Sequence, residues 1–363
     1  MTFSAPRKSL SNLVKRLTLA TTLGVGALVL GPTREAAADD ATVRIMTQNM
    51  YQGTNFDEIL AATTPAQFVA AVTQTYQNIL ATNPPERAAA IAREIARARP
   101  ALVALQEADI LRKGVPPATT VVEDQLQALL KELYRLGQNY EAIAIIPGLD
   151  PEAPSTLGFD VRITYRTVII ARTDSDGGHV ELSNMQVQHF LVNHVFSTAV
   201  GIPIVNTRGW ASVDVTIREK SFRFVTTHLE AALPVTTQLA QAAELIQSAG
   251  NTSLPIVLVG DFNADAANSA DPTFATYQLL LNAGFRDGWK ALHPTLPGFT
   301  CCQAPNLLNP TSTTSHRIDL VLTRGPVSVN DIAVVGDRPF ERTSSGLWPS
   351  DHAGLVASLR IAH

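Results

Sequence analysis

Residues 255–263 read PIVLVGDFN, a short apolar run that ends in glycine, aspartate and asparagine. A continuous apolar run of this length predicts a buried strand, here over residues 256–259. The polar residues that follow lie at the end of the strand, where a rigid scaffold presents side chains for chemistry. Asp261 and Asn263 are therefore the first candidate site residues.

The same arrangement recurs along the chain. Asn49 follows RIMTQ, Glu107 follows ALVALQ, His228 follows FRFVTT, Asp319 lies in RIDLVL, and Asp351 and His352 precede AGLVASL. Taken alone, each residue has an ordinary structural explanation, such as a cap, a turn or a solvated strand end. Together these carboxylates and amides favour Mg²⁺, with Mn²⁺ as the alternative, over zinc. Such a site suits hydrolysis of a phosphate ester, in which the metal neutralises developing charge.

Residues 39–363 show no linker, low-complexity tract or repeat, so we expect one continuous domain. Strands mixed with helices indicate the α+β or α/β class. The pattern predicts helices over 56–80, 85–98, 123–136, 235–248 and 274–283. It predicts strands over 43–47, 101–105, 141–146, 167–171, 179–187, 211–217, 221–227, 256–259, 318–322, 331–335 and 355–359. Residues 174–178 (DSDGG) predict a hairpin turn rather than a calcium loop.

The first 38 residues differ in kind from the rest. Four basic residues precede the uncharged stretch 17–30, and Ala36–Ala38 offers a cleavage site of small residues. This three-part pattern predicts a signal peptide cut near Ala38, and hence a secreted or periplasmic protein. The apolar stretch has 14 residues, fewer than the roughly 20 that a membrane-spanning helix needs.

Cleavage would leave an acidic protein. Residues 1–38 hold five basic residues and one acid, so residues 39–363 carry 23 basic and 31 acidic residues, a net charge of −8. A protein of this charge has no global attraction for nucleic acid, although a local basic groove stays open. The two cysteines, Cys301 and Cys302, are adjacent, which disfavours a zinc site and leaves open whether they form a disulfide.

Six motifs, in this order, resemble those of the endonuclease/exonuclease/phosphatase superfamily: Asn49, LQE at 105–107, THL at 227–229, GDFN at 260–263, RIDLV at 317–321 and SDH at 350–352. The resemblance covers residues 43–359 and implies an α+β fold of the DNase I-like type. This fold is a four-layer α/β/β/α sandwich, in which two packed mixed β-sheets are flanked by helices and the site lies at one edge. Residues 39–363 would form that domain.

The resemblance also implies roles. Glu107 would be the main ligand of a divalent metal, with Asn49 beside it and Asp351 as a further metal or water-network residue. Asp261 would orient or deprotonate the attacking water, and Asn263 would hold the phosphate. Asp319 would orient His352, and His228 would contact the phosphate or protonate the leaving oxygen. The residue types leave open which of His228, His352 and Asp261 is the acid and which the base.

The segment 159–172, FDVRITYRTVIIAR, has no clean counterpart in the motif series. Arg162, Tyr165 and Arg166 are candidate substrate contacts, and alternating strand residues are the ordinary alternative. The histidine of THL resembles the DNase, sphingomyelinase and phosphoesterase branches rather than apurinic-site endonucleases.

Three kinds of function compete. The first, which we favour, is a Mg²⁺-dependent phosphodiesterase acting on nucleic acid or nucleotides. The second is a sphingomyelinase-like enzyme acting on membrane lipid, or a phosphatase of small molecules such as inositol phosphates. The apolar segment 190–205 either forms an exposed hairpin, which would suit lipid, or belongs to a sheet core. The third is a non-catalytic relative that only binds a partner, and no obligate protein partner is evident.

Overall fold

The computed structural model describes residues 40–174, 180–198, 201 and 203–362. The predicted signal peptide lies outside the described residues, and so does the predicted turn at 174–178 apart from Asp174. The described part contains seven α-helices: α1 Asp57–Ala61, α2 Pro65–Ala81, α3 Pro84–Ala98, α4 Gln125–Arg135, α5 Thr236–Gln247, α6 Phe274–Asn282 and α7 Gly288–Leu292. A 3₁₀ turn spans Pro339–Glu341.

Eighteen strands make up the described sheets. They are β1 Ala41–Asn49, β2 Leu102–Gln106, β3 Ile110–Gly114, β4 Thr120–Asp124, β5 Tyr140–Pro147, β6 Glu152–Pro154, β7 Asp160–Thr164, β8 Arg166–Arg172, β9 Val180–His189, β10 His194–Ser197, β11 Pro203–Asn206, β12 Gly209–Ile217, β13 Lys220–His228, β14 Ile256–Asp261, β15 Arg286–Asp287, β16 Asp319–Arg324, β17 Val327–Val335 and β18 Gly354–Ile361.

Two six-stranded mixed sheets form the centre of the fold. The first has the order β17-β18-β1-β2-β8-β5, and the second has the order β15-β16-β14-β13-β12-β9. Each contains one parallel pair, β1 with β2 and β13 with β14. The carboxyl ends of parallel neighbours meet at one edge of a sheet, so each pair delivers the residues at its strand ends to a common place.

The two sheets pack face to face with helices outside. In β2, Leu102 and Ala104 join the core between the sheets, whereas Val103 and Leu105 face α3 and α4. In the second sheet, Val257 enters the central core and its neighbours in β14 face α5 and α6. This alternation is that of strands buried on both faces. The predicted four-layer α/β/β/α sandwich of the α+β class is confirmed.

The structure divides one predicted helix. The segment predicted as a helix over 56–80 forms two helices, α1 and α2, because Pro65 begins a new one. Thr64 caps it in a capping box with Gln67, which satisfies backbone N–H groups at the helix start. Likewise, the helix predicted over 123–136 begins only at Gln125, after a short strand that ends at its capping residue, Asp124.

Two smaller sheets lie beside the sandwich. One has the order β4-β3-β7-β6 and packs through Val161 and Ile163 against α2. The other is the two-stranded ribbon β10–β11. Within the described residues, we find no helix of the length and apolar character that crossing a membrane requires.

Candidate active site

Six of the predicted residues meet at one edge of the sandwich. Asn49 ends β1, Glu107 follows β2, His228 ends β13 and Asp261 ends β14. Asp319 begins β16, which is antiparallel to β14 and places Asp319 opposite Asp261. Since β18 is antiparallel to β1, His352, just before β18, reaches the same edge.

Asn49 links the two sheets. Its Nδ2 donates to Glu107 Oε1 at 3.2 Å and to Asp261 Oδ2 at 3.0 Å. Its Oδ1 accepts from the backbone N–H of Tyr51 at 2.9 Å, and Gln52 N donates to Glu107 Oε2 at 2.7 Å. One amide therefore fixes a carboxylate from each half of the molecule.

The loops that carry these side chains have an unusual backbone. Tyr51, Glu107 and Asn263 have φ values of 61°, 55° and 49°, in the left-handed region that non-glycine residues avoid. Such backbone persists where surrounding contacts determine it, and it concentrates at functional sites. Asn263 N donates to Asp261 Oδ1 at 2.9 Å, and its side-chain amide donates to the Leu229 carbonyl at 3.0 Å.

Behind the Asn49 loop lies a buried arginine that no sequence pattern selects. Arg87 of α3 donates to the carbonyl oxygens of Thr82, Met50 and Tyr51. It thereby satisfies backbone acceptors that the turn after β1 leaves without partners. In the sequence it resembles any polar residue of an amphipathic helix.

His352 and Asp319 form a buried pair. His352 Nδ1 lies 2.8 Å from Asp319 Oδ2, so Nε2 is left to face Asp261 Oδ2 at 3.9 Å. Ser350 supports the histidine, because its hydroxyl accepts from His352 N at 3.1 Å and donates to the Asn49 carbonyl at 2.7 Å. The arrangement fixes the orientation of the ring, so that Nε2 is the nitrogen directed toward Asp261.

The two histidines have opposite electrostatic surroundings. Burial alone would lower the pKa of His352, but the carboxylates of Asp319, Asp351 and Asp261 raise it well above its usual range. Burial, together with the positive charges of Arg208 and His352, lowers the pKa of His228 well below its usual range. At neutral pH this makes His352 an imidazolium and His228 a neutral ring, whose Nε2 lies 3.5 Å from Asp261 Oδ2.

The carboxylates of the site are more numerous than the cations beside them. Burial raises the pKa of Asp261 to about 7 and that of Asp351 to about 7. At Asp351 the neighbouring charge of His352 opposes this rise in pKa, and that of Glu107 contributes to it. Buried carboxylates are stable when paired with a cation or coordinated to a metal. Hard oxygen donors gathered in this way fit a divalent ion such as Mg²⁺.

A sequence profile of the Endonuclease/Exonuclease/phosphatase family matches residues 46–352. The chain belongs to this family. Among curated proteins, none matches this sequence.

Solved structures share the fold. An endonuclease/exonuclease/phosphatase family protein from Bacteroides thetaiotaomicron is 16% identical, over 90% of this chain and 100% of that chain, with a TM-score of 0.54. D. rerio TDP2 complexed with a single-strand DNA product is 17% identical over 88% and 99%, with a TM-score of 0.52. A mannosyl-6-phosphatase from B. thetaiotaomicron is 15% identical over 87% and 99%, with a TM-score of 0.51.

Three further residues of this endonuclease/exonuclease/phosphatase family protein were predicted from the sequence as substrate contacts. Two of them lie at the site and one does not. Arg166 and Tyr165 line a small cavity at the site together with Glu107 and His228. Arg166 is paired there with Asp124. Arg162 pairs with Asp150, and its neighbours in β7 face the opposite side, so the geometry gives it no described contact with the site.

Arg208 stands out among the arginines near the site. It lines the same small cavity, and its buried Nε has no hydrogen-bond partner in the described structure. Asp109 and Asn206 also line this cavity. Burial, with the charge of Glu107, raises the pKa of Asp109 well above its usual range. No motif singles out Arg208, because it follows the β10–β11 ribbon rather than a buried strand.

The described residues of the apolar segment 190–205 include the strands β10 and β11, which form the separate two-stranded ribbon and belong to neither main sheet. Phe190 is buried, but Leu191 is 89% exposed, and Val195 and Val205 are 49% and 47% exposed. Phe196 and Ile204, on the other face, line a second and larger cavity. A sheet core, the alternative predicted for this segment, is wrong for these exposed residues.

Cys301 and Cys302 are joined in a disulfide in the segment beside the site. The backbone of Cys301 forms isolated antiparallel β-bridges with His352 and with His316. The preceding residue, Thr300, accepts hydrogen bonds from the backbone N–H groups of Ile318 and Asp319 through its hydroxyl. The disulfide thus lies in the loop that positions the start of β16.

Proposed function

We propose that this protein is a secreted, Mg²⁺-dependent phosphodiesterase. The observation that carries the proposal is the contact of one Asn49 amide with both Glu107 and Asp261, where His228 and His352 also converge. A carboxylate cluster with two histidines in opposite protonation states suits attack of water on phosphorus and protonation of the leaving oxygen. Export is proposed from the amino-terminal sequence pattern alone.

The residues present fit a metal ion. Glu107, with Asp351 nearby, would hold it. Asn49, predicted from the sequence as a ligand beside Glu107, presents its amide nitrogen to Glu107 and Asp261 and would position these carboxylates instead. When bound, Mg²⁺ would neutralise charge on the phosphoryl oxygens and position the ester.

Side chains of the protein would orient the attacking water and stabilise the charge of the phosphoryl group. Asp261 would orient the attacking water, since its Oδ1 is held by Asn263 N and its Oδ2 by Asn49. Charge-assisted hydrogen bonds from Arg208 and the His352 imidazolium would stabilise the negative charge of the phosphoryl group. His228, neutral and buried, would contact the ester oxygens.

The proposed function is tested by measuring hydrolysis of bis(p-nitrophenyl) phosphate by the purified protein. Asp261→Ala and His352→Ala are expected to remove turnover while circular dichroism and thermal unfolding stay native. Near-normal turnover in either variant would contradict the assigned role. Secretion is tested separately by sequencing the amino terminus of exported protein, which should begin near residue 39.

Substrate class is a separate matter. The D. rerio TDP2 structure holds single-strand DNA product, and nucleic acid is one candidate here, although the net charge of −8 after residue 38 gives no long-range attraction for it. A lipid phosphodiester is the second candidate, and the exposed apolar residues of the β10–β11 ribbon favour it. Parallel incubation with plasmid DNA, nucleotides, sphingomyelin liposomes and inositol phosphates distinguishes them.

A further inference from the structure

A large cavity opens beside the proposed catalytic residues. Its volume is about 340 Å³, which lies within the range of small-molecule sites. Its walls come from three places: α1 and α2 of the segment between β1 and α3, the small sheet with β6 and β7, and the β10–β11 ribbon. None of these belongs to the central sandwich, so the cavity is built by additions to the core fold.

The cavity has two chemically different ends. Glu107, Asn206 and Arg208 line both this cavity and the smaller one at the site. This shared end therefore carries the proposed metal ligand and an arginine with a buried, unpartnered Nε. The other end is made by apolar side chains, which include Phe56, Ile59, Phe68, Val72, Val161 and Ile163.

We propose that this cavity binds the hydrocarbon chain of an amphiphilic phosphate ester. The inference rests on the proposed function, since it places the ester's phosphate at Glu107 and Arg208. The chain would then run between α2 and the small sheet, where it leaves water and contacts aliphatic and aromatic walls. Burial of each methylene is favourable by the hydrophobic effect.

The walls favour a hydrocarbon over a nucleobase or a sugar. A buried base or sugar needs hydrogen-bond partners for its polar edges, and burial without them is costly. Glu107, Asn206 and Arg208 are at the phosphate end. The paired faces of α2 and β7 present Val72, Val161 and Ile163, with Thr75 of α2 as a polar lining residue on the same side. The exposed Leu60 extends the apolar surface outward.

Binding of alkyl phosphates tests the proposal without requiring turnover. Methyl, butyl and octyl phosphate would be titrated into the full-length protein by calorimetry, below their micelle concentrations. We expect the affinity to rise with chain length by up to about fourfold per methylene, the equivalent of about 0.8 kcal/mol. A negative heat-capacity change should accompany the longer chains, because apolar surface is buried.

Two variants locate the binding. Ala153 of β6 lines the cavity, and Ala153→Trp should fill it and reduce the octyl-to-methyl affinity ratio about tenfold or more. Leu157→Trp is the matched control, since Leu157 is exposed on the neighbouring turn and does not line the cavity. If Ala153→Trp fails to fold, Leu60→Gln at the mouth should lower the same ratio by a smaller factor.

The outcomes separate this inference from the proposed function. Affinity that is independent of chain length, or tighter binding of thymidine 5′-monophosphate than of octyl phosphate, would overturn the hydrocarbon site. Chain-length dependence that persists in Ala153→Trp would also overturn it. Hydrolysis of bis(p-nitrophenyl) phosphate is measured in parallel, where water adds to phosphorus and the P–O bond to nitrophenolate breaks. Absence of that hydrolysis with intact chain-length dependence would reject the phosphodiesterase and support the site.

Discussion

His352 Nδ1 lies 2.8 Å from Asp319 Oδ2, although the two residues adjoin strands of different sheets. Asp319 begins β16 of the second sheet, and His352 precedes β18 of the first. Both side chains are buried. The catalytic pair proposed here therefore exists only when the two sheets are packed, which couples the site directly to the central core.

The first prediction concerns this pair. Asp319→Asn keeps the shape of the side chain but removes its charge, so His352 loses the carboxylate that orients its ring and supports its positive charge. We expect kcat for bis(p-nitrophenyl) phosphate to fall by about 10²-fold or more. Asp331→Asn, at an exposed position of β17, is the control and should keep its turnover. Equal turnover in the two variants would reject the role of Asp319.

The second prediction concerns the metal. Treatment with EDTA should abolish hydrolysis, and added Mg²⁺ or Mn²⁺ should restore it. Glu107→Gln removes a full negative charge from the site, so the concentration of Mg²⁺ needed for half-maximal activity should rise more than in any other single variant. Glu141→Gln, at an exposed position of β5, is the comparison. Activity that is indifferent to chelation would refute a metal-dependent reaction.

The third prediction compares two arginines. Arg208→Ala should raise KM for a phosphodiester by about 10-fold to 100-fold, since a hydrogen bond to a charged group contributes about 1.5–3 kcal/mol. Arg162→Ala should change KM less, because its guanidinium is engaged with Asp150 at a partly exposed position. Steady-state kinetics with both variants decides, and a larger effect at Arg162 would reverse this assignment.

The strand-end residues were predictable because their position follows from one rule. Asn49, Glu107, His228 and Asp261 each come directly after an apolar run, and parallel pairing of those strands brings them to one edge. Asp319 and His352 reach it from antiparallel neighbours. The residues at the centre of the site could therefore be predicted from their positions at the ends of apolar strands.

The surroundings of the site were not predictable in the same way. The segment 190–205 has the composition of a core strand. Sequence alone does not show that, in β10 and β11, Val195 and Val205 face solvent while Phe196 and Ile204 line a cavity. The role of Arg87 depends on carbonyl oxygens that only the folded turn after β1 exposes. The break before Pro65 had a local signal, a proline after a capping threonine, which the helical periodicity outweighed.

The fourth prediction concerns Gly260, which carries the strand into Asp261. Its φ is 141°, and a Cβ at this position would collide with the Thr227 carbonyl oxygen of β13. Since the two strands are hydrogen-bonded neighbours here, Gly260→Ala must separate them or change the backbone. We expect a loss of about 2 kcal/mol or more in the free energy of unfolding, together with reduced kcat. Urea unfolding measures the first effect, and native-like stability would show that the strands adapt.

The fifth prediction concerns Glu94, on α3 and outside the site. It is 3% exposed, and neither carboxyl oxygen has a hydrogen-bond partner in the described structure. Burial, with the negative charge of Glu341, raises its pKa from 4.5 to about 8. The folded protein thus holds this proton more tightly than the unfolded chain, so the group's contribution to stability is present below pH 4.5 and is lost as the pH rises to about 8.

Glu94→Gln should remove this loss, because glutamine stays neutral. The free energy of unfolding of the variant, relative to the parent, should grow by up to about 1.4 kcal/mol per pH unit within that window and level off above it. Urea unfolding between pH 4 and pH 9 measures the difference, with Glu141→Gln at an exposed position of β5 as the control. Parallel stability curves for parent and Glu94→Gln would mean that Glu94 is ionised in the folded protein and that a cation or water compensates its charge.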